Sequence, residues 1–283
     1  EKISGHKDIS TCVWGLGLSF SEKKSFRIYL YRFIATLLYK HAFKASNKVW
    51  FTNEKDLDHF KNKSLIDPKK VILTKNYVNT HDFSPGAVSK EKSLELRKEL
   101  GYSSQDKVVI LLARMSWAKG IKEFCESADF LSNQKNLKFL LVGPEDKGSA
   151  DSVPIEYLKK YDKKENFKWI GFRRDVKELY SISDLAVYPS FYREGGYPRG
   201  LTEPMSMGKP VITTDSEHCA KSVDHQKSGL IIPIKDSKAL ANGIDLIMSN
   251  PQIAENYGKE SRKKAIRELD EETIITSLIE ELV

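Results

Sequence analysis

From about residue 68 onward the chain alternates short, uninterrupted apolar runs with amphipathic stretches. The runs fall at 70–74, 108–113, 137–142, 167–171, 185–188, 210–213 and 230–232. Between several of them apolar residues recur at helical spacing, over 119–131, 176–183, 201–207 and 237–248. A strand without polar alternation is buried on both faces, and helices set between such strands are the crossovers of a parallel sheet. The pattern predicts an α/β fold with a doubly wound parallel sheet. Ligands of such sheets lie beyond the carboxyl ends of the strands. Arg114, Gly143, Gly171 and Ser190 each follow a predicted strand, which places them on one rim.

The first 67 residues read differently. They offer a strand at 10–14, a long helix at about 25–45, a second strand at 48–52 and a helix at 54–63. That is too little for a complete doubly wound domain, so residues 1–67 are expected to be the remainder of a larger amino-terminal domain. The chain opens at Glu1, without a methionine, and a longer parent chain is expected. Residues 68–250 form the sheet domain, and 251–283 a helical tail with apolar spacing at Ile274, Ile275, Leu278, Ile279 and Leu282.

Composition narrows the class. With 40% hydrophobic and 30% charged residues over 283 positions, the chain is globular and large enough for a sizeable core. No apolar run approaches the ~18 residues of a membrane-spanning helix. Cys12, Cys125 and Cys219 form no CxxC and are scattered, as in the reduced thiols of a cytosolic protein. The net charge of +7 would suit a polyanionic partner. The basic residues are spread rather than clustered, which argues against nucleic acid.

The richest stretch runs from Glu194 to Asp215. Glu194 and Glu203 flank a Gly/Pro-rich loop that enters a short apolar helix, and a strand follows. Backbone N–H groups at a helix N-terminus bind phosphate, and carboxylates accept from sugar hydroxyls. Upstream, Arg114 and Lys119 lie five positions apart where a strand turns into a helix. A pair of fixed cations there would stabilise the charge that grows on a departing diphosphate. The two elements together suggest a nucleotide-sugar site. Asp56-Leu57-Asp58 lies in a predicted helix, where residues two apart point different ways, so it is not read as a metal motif. Gly15-Leu16-Gly17 lacks the third glycine of a dinucleotide fingerprint. No histidine spacing matches a metal site.

In this order and spacing the residues resemble a family. Its marks are Trp14-Gly15-Leu16-Gly17, Phe51-Thr52-Asn53-Glu54, Asn76-Tyr77-Val78-Asn79 with Phe83-Ser84-Pro85, and Arg114 with Lys119-Gly120. They continue with Leu141-Val142-Gly143, Ile170-Gly171-Phe172, Ser183-Asp184 with Tyr188-Pro189-Ser190, the two-Glu segment, and Lys227-Ser228-Gly229-Leu230 with Pro233. The chain resembles the carboxyl-terminal half, and a little more, of a retaining GT-B glycosyltransferase of family 4, of the bacterial type that builds capsule, O-antigen or other lipid-linked glycans.

The resemblance implies that residues 68–250 are a Rossmann-like domain for a nucleotide diphosphate sugar. Arg114 and Lys119 would bind the diphosphate, and Glu203 the ribose hydroxyls. Glu194 would hold donor sugar hydroxyls near the reacting carbon. Arg199, Gly200 and Leu201 stand where backbone N–H groups meet phosphate, and Gly171, Phe172 and Arg173 where relatives hold the base. The spacing from Glu194 to Glu203 is one residue longer than usual, and Gly195-Gly196 is expected to absorb it as a bulge. The implied reaction transfers a sugar, with retention, to a glycan or lipid-linked acceptor. It needs no cofactor or metal, and no nucleophile is assigned. The alternatives are a nucleotide-sugar-binding module without transfer activity and a related GT-B sugar-nucleotide enzyme. The basic and aromatic helix over 26–44 is either a peripheral face for the inner membrane surface or an interior helix whose cations reach to water.

Overall fold

The structure, a computed structural model, describes residues 9–16, 20, 25–192 and 194–282. Gly17 of the Trp14 motif lies outside them. The chain divides into a smaller unit (Glu1–Tyr77, Glu194–Gly196, Glu272–Val283) and a larger one (Val78–Arg193, Tyr197–Glu271).

The smaller unit contains β1 (Ser10–Val13), α1 (Phe26–Ala45), β2 (Lys48–Phe51), α2 (Glu54–Lys61) and β3 (Val71–Leu73). The strands form a parallel sheet in the order β1-β2-β3, with Val49 opposite both Thr11 and Val71. The apolar run at 70–74 thus pairs with β2 rather than with the strands that follow it. Pairing is a long-range choice that local alternation does not encode. Ser25 caps α1, its hydroxyl accepting from the N–H of Ile28 at 3.3 Å. Asn53 caps α2, its side-chain oxygen accepting from the N–H of Asp56 while its amide donates to the Asp56 carboxylate. Asp56 is thereby buried while Asp58 is exposed, so the two carboxylates of the D-x-D do not converge. The core is aromatic, with the Phe43 and Phe60 rings perpendicular at 4.9 Å.

The larger unit continues with α3 (Lys90–Glu99), β4 (Lys107–Leu112), α4 (Ile121–Phe130), β5 (Leu137–Val142), α5 (Ile155–Asp162), β6 (Phe167–Trp169), α6 (Val176–Ser181) and β7 (Leu185–Tyr188). After these come α7 (Arg199–Ser206), β8 (Val211–Thr214), α8 (Glu217–Ser222), β9 (Gly229–Ile232), α9 (Ser237–Ser249) and α10 (Pro251–Glu268). A last helix, α11 (Glu271–Leu282), returns almost wholly to the smaller unit. Six strands form a wholly parallel sheet in the order β6-β5-β4-β7-β8-β9. Val108, Val109, Ile110 and Leu111 are completely buried, as expected for a central strand covered on both faces.

The order reverses between β4 and β7, because the chain runs outward to β6 and then crosses back. That is the topological switch point, where the carboxyl ends of two neighbouring strands open a crevice. Helices α3, α5 and α8 go unpredicted; α3 buries only Leu96 and so carries little apolar periodicity. All three cysteines are free thiols, and burial lifts that of Cys12 to about 11. Among the described residues no helix is long and apolar enough to cross a membrane.

Candidate active site

The loop leaving β4 carries Arg114 outward and turns through Trp117–Lys119 before Gly120 begins α4. Asp151 shapes this loop from a distant segment. Its carboxylate accepts from the Ser116 hydroxyl and, at 3.0 Å, from the N–H of Ala118. Arg114 is half exposed and donates to Asp146, beyond the end of β5, at 2.7 Å. Asp146 therefore holds the Arg114 guanidinium in place, and Arg114 is exposed enough for a phosphate to reach it.

Lys119 behaves differently. It is 7% exposed, and its ammonium donates to the Tyr188 hydroxyl at 2.9 Å. The same ammonium stands 4.5 Å above the Tyr192 ring. Burying a cation needs compensation, and aromatic faces with a hydroxyl supply it.

Tyr188 ends β7 and links this cation to α7. A side chain at Gly200 would meet the Tyr188 ring at 2.7 Å and the carbonyl of Leu112, at the end of β4, at 3.1 Å. Only glycine lets the N-terminus of α7 press so closely onto the switch point. The helix begins at Arg199, two residues earlier than the apolar spacing predicts, since Pro198 supplies a ready first-turn acceptor. Leu201 and Thr202 both donate to the Pro198 carbonyl. The N–H groups of Arg199 and Gly200 have no acceptor among the described residues. Two such donors thus sit at a helix N-terminus, with Tyr188 linking it to Lys119.

Glu203 lies one turn inside α7, not at its start, and so is placed by packing rather than by the helix dipole. Burial lifts its carboxyl to about 7, and the nearby Arg199 charge partly offsets the rise. Tyr180 is fully buried, and burial together with the Glu203 charge pushes its phenol well upward. The Tyr180 and Thr202 hydroxyls have no partner among the described residues.

After β6, Gly171 accepts from the N–H of Gly143 at 2.8 Å, and Phe172 projects its ring with 64% exposure. The Arg173 guanidinium is taken up by Asp175 at 2.5 Å and Glu99 at 2.7 Å, leaving its backbone for any ligand contact. Among the described residues no group of three or more His, Cys, Asp or Glu is placed to hold a metal ion.

Glu194 belongs to the smaller unit with Gly195 and Gly196. The Gly195 carbonyl accepts from the Thr52 hydroxyl and from the Asn53 amide at 3.2 Å. A side chain on Gly195 would meet the Trp14 carbonyl at 2.1 Å, and Gly196 stands at φ +145°. The doubled glycine is a tight, unusual bend against the Trp14 and Thr52 motifs.

Asp146, Asp151, Tyr192 and Tyr180 escape the sequence reading, and Tyr188 enters it only within the Tyr188-Pro189-Ser190 mark, without a role. Only Tyr188 had a local signal, as the last residue of a predicted strand; the others lie far along the chain from the residues they serve.

The family profile described as "Glycosyl transferases group 1" matches residues 92–264, well over half of the chain. The chain is 31% identical over 255 residues to the N,N'-diacetylbacillosaminyl-diphospho-undecaprenol alpha-1,3-N-acetylgalactosaminyltransferase of Campylobacter jejuni, covering 90% of this chain and 65% of that protein. It is 21% identical to the UDP-Gal:alpha-D-GlcNAc-diphosphoundecaprenol alpha-1,3-galactosyltransferase of Escherichia coli, covering 94% and 66%. The fold is shared with Anabaena HepE, solved with UDP and glucose, at a TM-score of 0.77 and 18% identity, over 99% of this chain and 73% of that one. The chain thus spans about two thirds of these relatives, and well under two thirds of others it matches. By the profile match, and with a fold to suit it, the chain belongs to the group 1 glycosyl transferases.

Proposed function

We propose that this chain is the donor-binding part, with some of the acceptor side, of a retaining glycosyltransferase. The enzyme moves a sugar from a nucleotide diphosphate to a glycan or lipid-linked acceptor in surface polysaccharide synthesis. The observation that carries this reading is the grouping at the switch point. The Lys119 ammonium and Gly200, at the start of α7, both meet Tyr188, and the Arg199 and Gly200 N–H groups have no acceptor among the described residues. A diphosphate laid there meets donors and positive charge together, and charge growing on it as the glycosidic bond breaks is stabilised where it forms.

In this reading Glu203 accepts from the ribose hydroxyls, the exposed Phe172 ring and the Gly171 and Arg173 backbone meet the base, and Leu201 packs beneath the phosphates. Glu194 holds donor sugar hydroxyls from the bent Gly195-Gly196 loop. The C. jejuni and E. coli relatives are named for diphospho-undecaprenol acceptors, which supports a lipid-linked acceptor here.

Isothermal calorimetry with UDP tests the donor site. Arg114→Ala and Lys119→Ala should each weaken binding by about tenfold or more, the loss expected for a hydrogen bond to a charged group. Unchanged affinity in both variants would remove the basis of the assignment.

The same protein is proposed to touch an anionic membrane surface through α1. That helix exposes Phe26, Tyr29, Leu30, Tyr31, Phe33, Ile34, Leu37 and Leu38. It carries Arg27, Arg32, Lys40 and Lys44 and no carboxylate. Apolar side chains would enter the head-group boundary while the cations meet lipid phosphates, at about 1 kcal/mol for each cation. The chain should sediment with vesicles of phosphatidylglycerol but not of phosphatidylcholine, and Phe26→Ser with Phe33→Ser and Leu37→Ser should abolish this. Equal sedimentation by the triple variant would exclude α1 as the contact.

A further inference from the structure

The larger unit holds a cavity of about 240 Å³ walled by Trp117, Lys122, Glu123, Glu126, Phe191 and Lys235, with Ser237 at its edge. Arg114, Lys119 and Glu203 do not line it. It is built from the turn before α4, the first two turns of α4, the segment after β7 and the loop between β9 and α9.

Glu123 is the telling residue. It is 5% exposed, yet its Oε2 has no hydrogen-bond partner among the described residues. Burial raises its carboxyl above the usual range, with the Glu123 backbone N–H and the Lys122 charge partly opposing. The groups around it are otherwise engaged. Glu126 accepts from the Ser237 hydroxyl at 2.6 Å and faces Lys122 at 3.7 Å. The Lys235 ammonium lies 4.8 Å above the Phe191 ring. Lys235 itself stands at φ +59°, a conformation uncommon for a residue with a side chain. A buried acceptor without a donor is costly, and a donor held in the cavity reaches that oxygen once the Glu123 carboxyl turns toward it.

The chemistry of that donor follows from the walls. A cation would meet Lys122 and Lys235, and an anion would meet Glu123 and Glu126. A neutral polyol avoids both conflicts. One hydroxyl donates to Glu123 and others accept from the lysines, while the C–H face of a ring lies against Trp117 or Phe191. We infer that this cavity is a second saccharide pocket, separate from the nucleotide groove, that receives one neutral sugar residue.

The test is a titration of the chain with methyl α-D-glucopyranoside and, separately, N-acetylglucosamine. The Trp117 indole N–H resonance, assigned through Trp117→Phe, is followed with and without UDP. At least one sugar should shift it saturably, and equally in both conditions. Glu123→Gln should weaken that binding by about tenfold, the effect of one hydrogen bond to a charged group. Lys235→Ala, a change at an exposed side chain that leaves the fold alone, should weaken it about threefold. UDP affinity, measured on the same samples, should be unaltered in both variants. The proposal is overturned if neither sugar moves the resonance, if UDP abolishes the shift, or if both variants bind as the parent does. A failure of UDP itself to bind speaks only to the nucleotide groove, since the sugar titration is also run without it.

Discussion

Glu203→Gln is expected to make the chain more stable above neutral pH and poorer at holding a nucleotide. The Glu203 carboxyl titrates at about 7 in the folded chain, against 4.5 for an ordinary glutamate, because burial disfavours its charge. Below pH 4.5 the group is protonated whether the chain is folded or not, and it contributes no pH dependence. Between 4.5 and 7 the unfolded chain releases this proton and the folded one keeps it, so stability falls as pH rises. Above 7 the full penalty is present, of order 3 kcal/mol.

A glutamine of the same shape carries no such penalty. At pH 8 the variant should therefore gain up to about 3 kcal/mol, and at pH 4 nothing. Urea unfolding at the two pH values reads this directly, and the difference between variant and parent isolates Glu203 from other carboxyls such as Glu123. Nucleotide affinity should move the opposite way, since the ionised carboxylate is the better acceptor for ribose hydroxyls. Parallel pH–stability curves for parent and variant would mean that Glu203 is not strained by burial.

Arg262→Ala should destabilise the larger unit by about 3 kcal/mol, the loss expected when several buried carbonyls lose a charged donor. Arg262 projects from α10, and the two N–H bonds of its Nη1 are shared among the carbonyls of Thr80 at 2.7 Å, Phe83 at 3.1 Å and Ser206 at 2.7 Å, and the Ser206 hydroxyl at 2.9 Å. Ser206 is the last residue of α7, so one guanidinium ties the end of the Glu203 helix to α10 and to the segment before α3. Arg262→Lys should recover part of the loss, because an ammonium can donate to some of the same acceptors. A urea midpoint that moves by less than the equivalent of about 1 kcal/mol would show that water replaces the guanidinium. UDP affinity should fall with it, since the N-terminus of α7 moves when its far end is released.

Much of this was legible in the chain itself. The apolar runs at 108–113, 137–142 and 185–188 became β4, β5 and β7 with little change at their ends. Strand position alone put Arg114, Gly143, Gly171 and Ser190 on a single rim. These features are local: a short apolar run rich in β-branched residues reads as a buried strand, and a residue one step past a strand lies at its end. The tight bend at Gly195-Gly196 was legible for the same reason, whereas the close approach of Gly200 to Tyr188 was not.

Pairing and burial lie beyond that reach. Nothing near residue 71 says that β3 completes the short sheet, nothing near 114 names Asp146, and nothing near 119 foretells two tyrosines from β7 and its following loop. The sequence by itself determined the α/β class, the strands and the residue types that line their ends. Only the tertiary structure decided which charges are paired, which are buried and which donors stay open. Those are sums over neighbours brought together from distant parts of the chain, and the desolvation that sets the Glu203 and Glu123 carboxyls exists only once the neighbours have closed around them.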